Sequence, residues 1–118
     1  MNRPAFIDDA DFVKLLANGH RTAGGESIDP LPVIKLFTPD ASATWLLTEI
    51  DPDDEDLAFG LCDLGLGCPE LGYVRLSELD SVRGRLGLPI EKDIHFVANT
   101  SISAYAAQAR QKGTMAGI

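Results

Sequence analysis

The side chains of this chain whose types and spacing could do chemistry are two cysteines, Cys62 and Cys68, two histidines, His20 and His95, and two carboxylates, Asp63 and Glu70. A cysteine nucleophile needs a neighbouring base, and His95 is the candidate partner for Cys62. Paired carboxylates can share acid and base work when their surroundings separate their pKa values, which makes Asp63 with Glu70 the second candidate. The glycines and proline of Gly65-Leu-Gly-Cys-Pro69 would hold both carboxylates exposed at a tight corner, with Arg75 as a neutralising partner. Each group also has a plainer reading, a small buried thiol at Cys62, a half-exposed one at Cys68 and solvated carboxylates.

Other chemistries fail on spacing. Five residues separate Cys62 from Cys68, whereas structural zinc pairs are separated by about two to four, and neither histidine lies in a ligand-like position. Asp51, Asp53 and Glu55 alternate like ligands of a calcium loop, but Asp56 stands where that loop needs its glycine and Cys62 where it needs its glutamate. Weak cation binding by the acidic connection is left open, a solvated hairpin tip being the simpler reading. Gly65-Leu-Gly67 lacks the third glycine of a dinucleotide fingerprint, and Pro69 removes an amide that a phosphate would use. No metal and no cofactor is expected.

The elements that must position these groups follow from periodicity. Asp9 to Asn18 reads as an amphipathic helix capped by Asp8 or Asp9, with Phe12, Leu15 and Leu16 on one face and Gly19 as the left-handed residue after its end. Residues 20–32 read as a loop. Strands are expected at Val33–Thr38, Thr44–Ile50, Leu57–Asp63 and Leu71–Leu76, joined by the Pro39-Asp40 turn, the acidic connection Asp51–Asp56 and the glycine corner. Connections this short make an antiparallel meander and leave no room for helical crossovers. Ser77 begins a short helix ended by Gly84, Gly87 and Pro89, and Ile94–Ala98 is a last strand. Ser101 caps a helix in which Ile102, Tyr105, Ala106 and Ala109 share a face and which Gly113 ends; residues 114–118 fray. Trp45 is assigned to the core.

The resulting fold class is α+β, a single domain over residues 1–118 with a four- to five-stranded, mainly antiparallel sheet and helices packed on one face. Its parts are an N-terminal helix and loop over 1–32, sheet and helices over 33–113, and the tail. A chain of this length buries enough surface for one core without staples. No apolar run approaches the roughly 20 residues that span a bilayer, and Asp8, Asp9 and Asp11 occupy the place of a signal peptide's apolar stretch, so a cytoplasmic protein with reduced thiols and no membrane contact is expected. The net charge of −8 opposes direct binding to nucleic acid, whose phosphates are gripped by clustered Lys and Arg.

Val33-Ile-Lys-Leu-Phe-Thr-Pro-Asp40, Thr44-Trp-Leu-Leu-Thr-Glu-Ile-Asp-Pro52, Ala58-Phe-Gly-Leu-Cys-Asp-Leu-Gly-Leu-Gly67, Pro69-Glu-Leu-Gly-Tyr-Val74 and Leu86-Gly-Leu-Pro89 together resemble the DUF2958 family of small bacterial proteins. Leu15-Leu-Ala-Asn-Gly19 and Ser103-Ala-Tyr105 extend the likeness over nearly the whole chain. The resemblance implies a protein carried by plasmids, conjugative elements and related mobile DNA, often beside antirestriction-type genes, and it transfers no catalytic residue.

These readings favour a non-enzymatic accessory protein of mobile DNA that binds another protein, a host-defence or conjugation component, through a surface of Asp63, Cys68, Glu70, Tyr73 and Arg75. The rivals are a small enzyme using Asp63 with Glu70, or Cys62 with His95, and an acidic DNA mimic whose carboxylates line up at phosphate-like spacing. The oligomeric state is left open.

Overall fold

A computed structural model describes residues 3–118. Among the described residues the chain forms α1 (Asp9–Ala23), β1 (Ile34–Phe37), β2 (Thr44–Asp51), β3 (Asp54–Asp63), β4 (Glu70–Arg75), α2 (Leu76–Ser81), β5 (Glu91–Lys92) and α3 (Ile102–Lys112). The strands make one open antiparallel sheet in the order β4-β3-β2-β1-β5. The α+β class and the meander of four consecutive strands are as expected from the short connections, with β5 added beyond β1.

Alternation along the strands splits the core in two. On one face Leu36, Trp45, Leu47, Ile50 and Ala58 pack with Leu15 of α1 and Leu76 and Leu79 of α2; on the other Leu46 and Leu61 pack with Ile102, Tyr105, Ala106 and Ala109 of α3. The helices therefore do not share one face as expected. Both Trp45 and Leu46 are buried, so the centre of β2 is covered on each side.

Helix α1 starts as predicted, with the Asp8 carboxylate accepting from Asp11 N at 2.8 Å. It does not stop at Asn18. Gly19 lies inside the helix because α1 presses there onto the backbone of β2: a Cβ would stand 1.7 Å from Ile50 O. Close approach, rather than a left-handed backbone, explains this glycine. Nearby, the β2–β3 register slips between Leu47 and Glu49, and the extra residue, Thr48, donates from Oγ1 to Phe59 O while its own carbonyl accepts from Asn18 Nδ2 at 2.8 Å.

The acidic connection is shorter than its charge suggested. Asp51 pairs with Asp54 across a turn of Pro52 and Asp53, and Asp53 N donates to Asp51 Oδ1. Asp54–Asp56 belong to β3, and Asp56 accepts from the amide and hydroxyl of Ser77 at 2.8 and 2.7 Å. Ser77 thus anchors α2 to β3 and does not cap the helix, whose first turn begins one residue earlier.

The final strand is displaced from the expected Ile94–Ala98 to Glu91–Lys92, and Ile94 and Val97 are left exposed. Helix α3 has the expected caps: Ser101 Oγ accepts from Ala104 N, and Gly113 adopts φ 72°. Residues 114–118 are folded back instead of frayed. Met115 is buried, its amide donates to Asp63 Oδ2 at 2.9 Å, and Lys35 Nζ donates to Ile118 O at 2.6 Å.

Candidate protein-binding face

The corner between β3 and β4 and the strand that leaves it carry most of the side chains singled out above, and the fold sorts them into different environments. Asp63 ends β3 and is buried, with Oδ1 accepting from Gly65 N and Oδ2 from Met115 N. Its carboxylate ties the corner to the segment after α3 and is not displayed outward. Glu70 is exposed and pairs with Cys62 across the ladder. Cys62 points to the α1 side and Asp63, one residue on, to the α3 side, so Asp63 and Glu70 project to opposite faces and form no carboxylate pair.

Cys62 and His95 also stay apart. Cys62 lies opposite Trp45, Trp45 opposite Leu36, and Leu36 opposite Lys92. Three strand spacings of about 4.8 Å put roughly 14 Å between Cys62 and β5, and the exposed His95 lies beyond β5. Burial pushes the Cys62 thiol up to about 11, away from the thiolate that a nucleophile needs. Cys68 is free and exposed.

Arg75 serves β3 instead of Glu70 or Asp63: Nη1 lies 3.1 Å from Asp54 Oδ2 and 3.7 Å from Asp56 Oδ2. The Asp54 contact, first of all its hydrogen bond, raises the Arg75 pKa further. Asp56 is held below the usual carboxylate range by the Ser77 hydroxyl first and then by the Ser77 amide and Arg75. The same latch recurs at Asp29, which accepts from Ser103 Oγ and, at 3.0 Å, from Ser103 N, and whose carboxyl is likewise lowered. Much of the acidic excess is spent on such internal bonds. Among the described residues no group of three or more His, Cys, Asp or Glu side chains is arranged to hold a metal ion.

The strand that leaves the corner is β4. It is the end strand of the sheet, six residues long, paired to β3 without a bulge. Leu71 and Tyr73 point from it toward the α3 side, as do Leu57 and Phe59 from β3; α3 covers Leu46 and Leu61 and also touches β4, but leaves Tyr73 largely bare. Tyr73 is 66% exposed, with its ring edge-on to Phe59 at 5.0 Å between centroids. A hollow of about 80 Å³ opens beside them, bounded by Leu57, Phe59 and Tyr73, by Glu49, Asp51 and Pro52, and by Gly19, Thr22 and Ala23 at the end of α1. A larger depression of about 650 Å³ lies at the other edge, between Phe6, Phe37, Ile90 and His95. Lys92 there is held by Asp8 and Asp11, with Nζ 3.2 Å from Asp8 Oδ2, and the Asp11 hydrogen bond leads in raising its pKa.

Periodicity did not single out Phe59, Leu57 and Glu49 as a surface, because a strand residue that faces a helix and one that faces water look alike. The signal that could have found them is the length of α3, whose eleven residues extend about 16 Å and leave part of the sheet face uncovered.

Fold and face together define a small α+β domain with an open antiparallel meander and an uncapped edge strand. The family model described as "Protein of unknown function (DUF2958)" matches residues 6–116, and the chain belongs to that family. No curated protein and no solved structure matches it. Among the described residues no helix is long and apolar enough to cross a membrane.

Proposed function

We propose that the protein is a cytoplasmic accessory factor of mobile DNA that acts by binding another protein along β4. The observation that carries this reading is the outer edge of β4, unpaired among the described residues, free of proline and bulges, and bearing Leu71 and the largely exposed Tyr73. Natural sheets blunt such edges or use them, because a row of free amides and carbonyls is a template for another strand. Glu70 stands exposed at one end of β4 and would help to fix the register of an extended partner segment, while Arg75 at the other end is held by Asp54 and Asp56. Cys68 borders the same surface; Asp63 stabilises it from inside. The setting in mobile DNA rests on the family resemblance and the host-defence or conjugation partner on that setting.

A photo-crosslinking amino acid at Tyr73, expressed in the native host, tests the reading. The expected result is a discrete protein adduct that is absent when the probe replaces Lys14, an exposed residue of α1. No adduct, or the same adducts at both positions, would remove β4 as the binding face.

A further inference from the structure

Two loops carry the same tripeptide. Leu64-Gly65-Leu66 follows β3 and Leu86-Gly87-Leu88 follows α2, and the central glycines adopt matching positive φ values of 79° and 77°. Carboxylates latch both loops: Asp63 accepts from Gly65 N at 2.8 Å, and Asp40 Oδ2 accepts from Leu86 N at 2.6 Å and Leu88 N at 3.3 Å. Both loops also lean on the β1–β2 turn, Gly65 against Ser42 and Gly84 against Asp40. They therefore flank one turn at one end of the sheet and present leucines to solvent, Leu66 and Leu86 being 80% and 78% exposed. Arg83 and Arg85 are exposed beside them, and residues 82–90 contain no carboxylate. In a chain of net charge −8, the segment 82–90 is apolar and basic, although Asp40, Asp63 and Glu70 lie at the same end of the sheet.

The hollow beside Phe59 and Tyr73 has the complementary character. It lies toward the opposite end of the sheet, near the Pro52-Asp53 turn, its lining mainly apolar but including Thr22 of α1 and the carboxyl-bearing Glu49 and Asp51. At about 80 Å³ it is far below the roughly 300 Å³ at which small-molecule sites begin, and of a size for one aliphatic side chain.

We propose that the protein self-associates head to tail: a leucine of the paired Leu-Gly-Leu loops of one copy fills the Phe59–Tyr73 hollow of the next, while Arg83 and Arg85 meet Glu49 and Asp51. The proposal names a partner for the Tyr73 face and so rests on the protein-binding reading. Because the two surfaces differ and lie toward opposite ends, the contact is heterologous and each added copy leaves a free surface at either end.

Sedimentation velocity on the full chain tests it. The expected result is a mass that rises with concentration above 12.7 kDa and falls at high salt, where the arginine–carboxylate attraction is screened. Leu66→Glu with Leu86→Glu disables only the loops, and Tyr73→Glu only the hollow. Each variant alone stays monomeric, and an equimolar mixture forms a species of twice 12.7 kDa and no larger. Arg85→Glu, on an exposed loop, weakens wild-type association about tenfold at low salt and less at high salt. A wild-type chain that stays monomeric at every concentration overturns the proposal, as does a mixture that gives no dimer, or a monomer that binds phosphatidylglycerol vesicles through Leu66 and Leu86. If the chain is monomeric yet the probe at Tyr73 captures a different protein, self-association falls and the protein-binding reading stands; if both fail, both fall.

Discussion

The two faces of the sheet are covered to very different extents. On one, α1 and α2 seal Leu36, Trp45, Leu47, Ile50 and Ala58, and α1 comes so close that Gly19 has no room for a side chain. On the other, α3 covers Leu46 and Leu61 and touches β4, leaving Phe59 partly covered and Tyr73 largely bare. Burying the apolar side chains of the second face would stabilise the domain further, by about 25 cal/mol for each Å² withdrawn from water. On the reading proposed above, the sealed face supplies stability and this open area, next to the free edge of β4, supplies recognition.

Substitutions that break the sealed face should have the largest effects. Leu47→Ala removes a fully buried side chain and is expected to lower unfolding stability by about 2–5 kcal/mol in denaturant titration. Gly19→Ala should cost roughly 1–3 kcal/mol, because α1 can admit the methyl only by moving off β2. Asp63→Ala strands the amides of Gly65 and Met115; a loss of about 3 kcal/mol is expected, with faster amide exchange at Met115. On the open face Tyr73→Ala should cost only about 1 kcal/mol, the worth of its aromatic pair with Phe59, while abolishing the proposed self-association.

Two milder experiments sharpen the contrast. At pH 8 a thiol reagent should label the native chain at Cys68 alone, since burial holds Cys62 near 11, and unfolding should expose both. Acid should act through the latches. The Asp56 carboxyl is lowered in the folded state, so its contribution is fully present above the ordinary carboxylate value of about 4 and is lost as pH falls through its depressed value. Asp56→Asn should therefore be less stable than wild type at neutral pH, with the difference shrinking in acid.

The meander was legible because strand runs alternate and turns carry Pro39-Asp40 and glycine, and α3 because Ser101 and Gly113 cap it as local chemistry requires. Gly19 was misread since a glycine that ends a helix and one that lets a helix touch a strand are identical in one dimension. β5 was misplaced because Ile94 and Val97 have strand-like side chains, whereas pairing with β1 selected Glu91 and Lys92. The corner was found, but its carboxylates were not: a buried Asp63 reveals itself only once Met115, fifty-two residues later, donates to it. The second Leu-Gly-Leu went unpaired with the first because the two meet only across the β1–β2 turn.

Asp40 makes that meeting conditional. Its carboxylate binds amides 46 and 48 residues further along the chain, so the two leucine tips reach their mutual spacing only after the hairpin and the segment beyond α2 have both found their places. An incompletely folded copy would lack a finished tip, and growth of any assembly would thereby admit mature copies and reject immature ones.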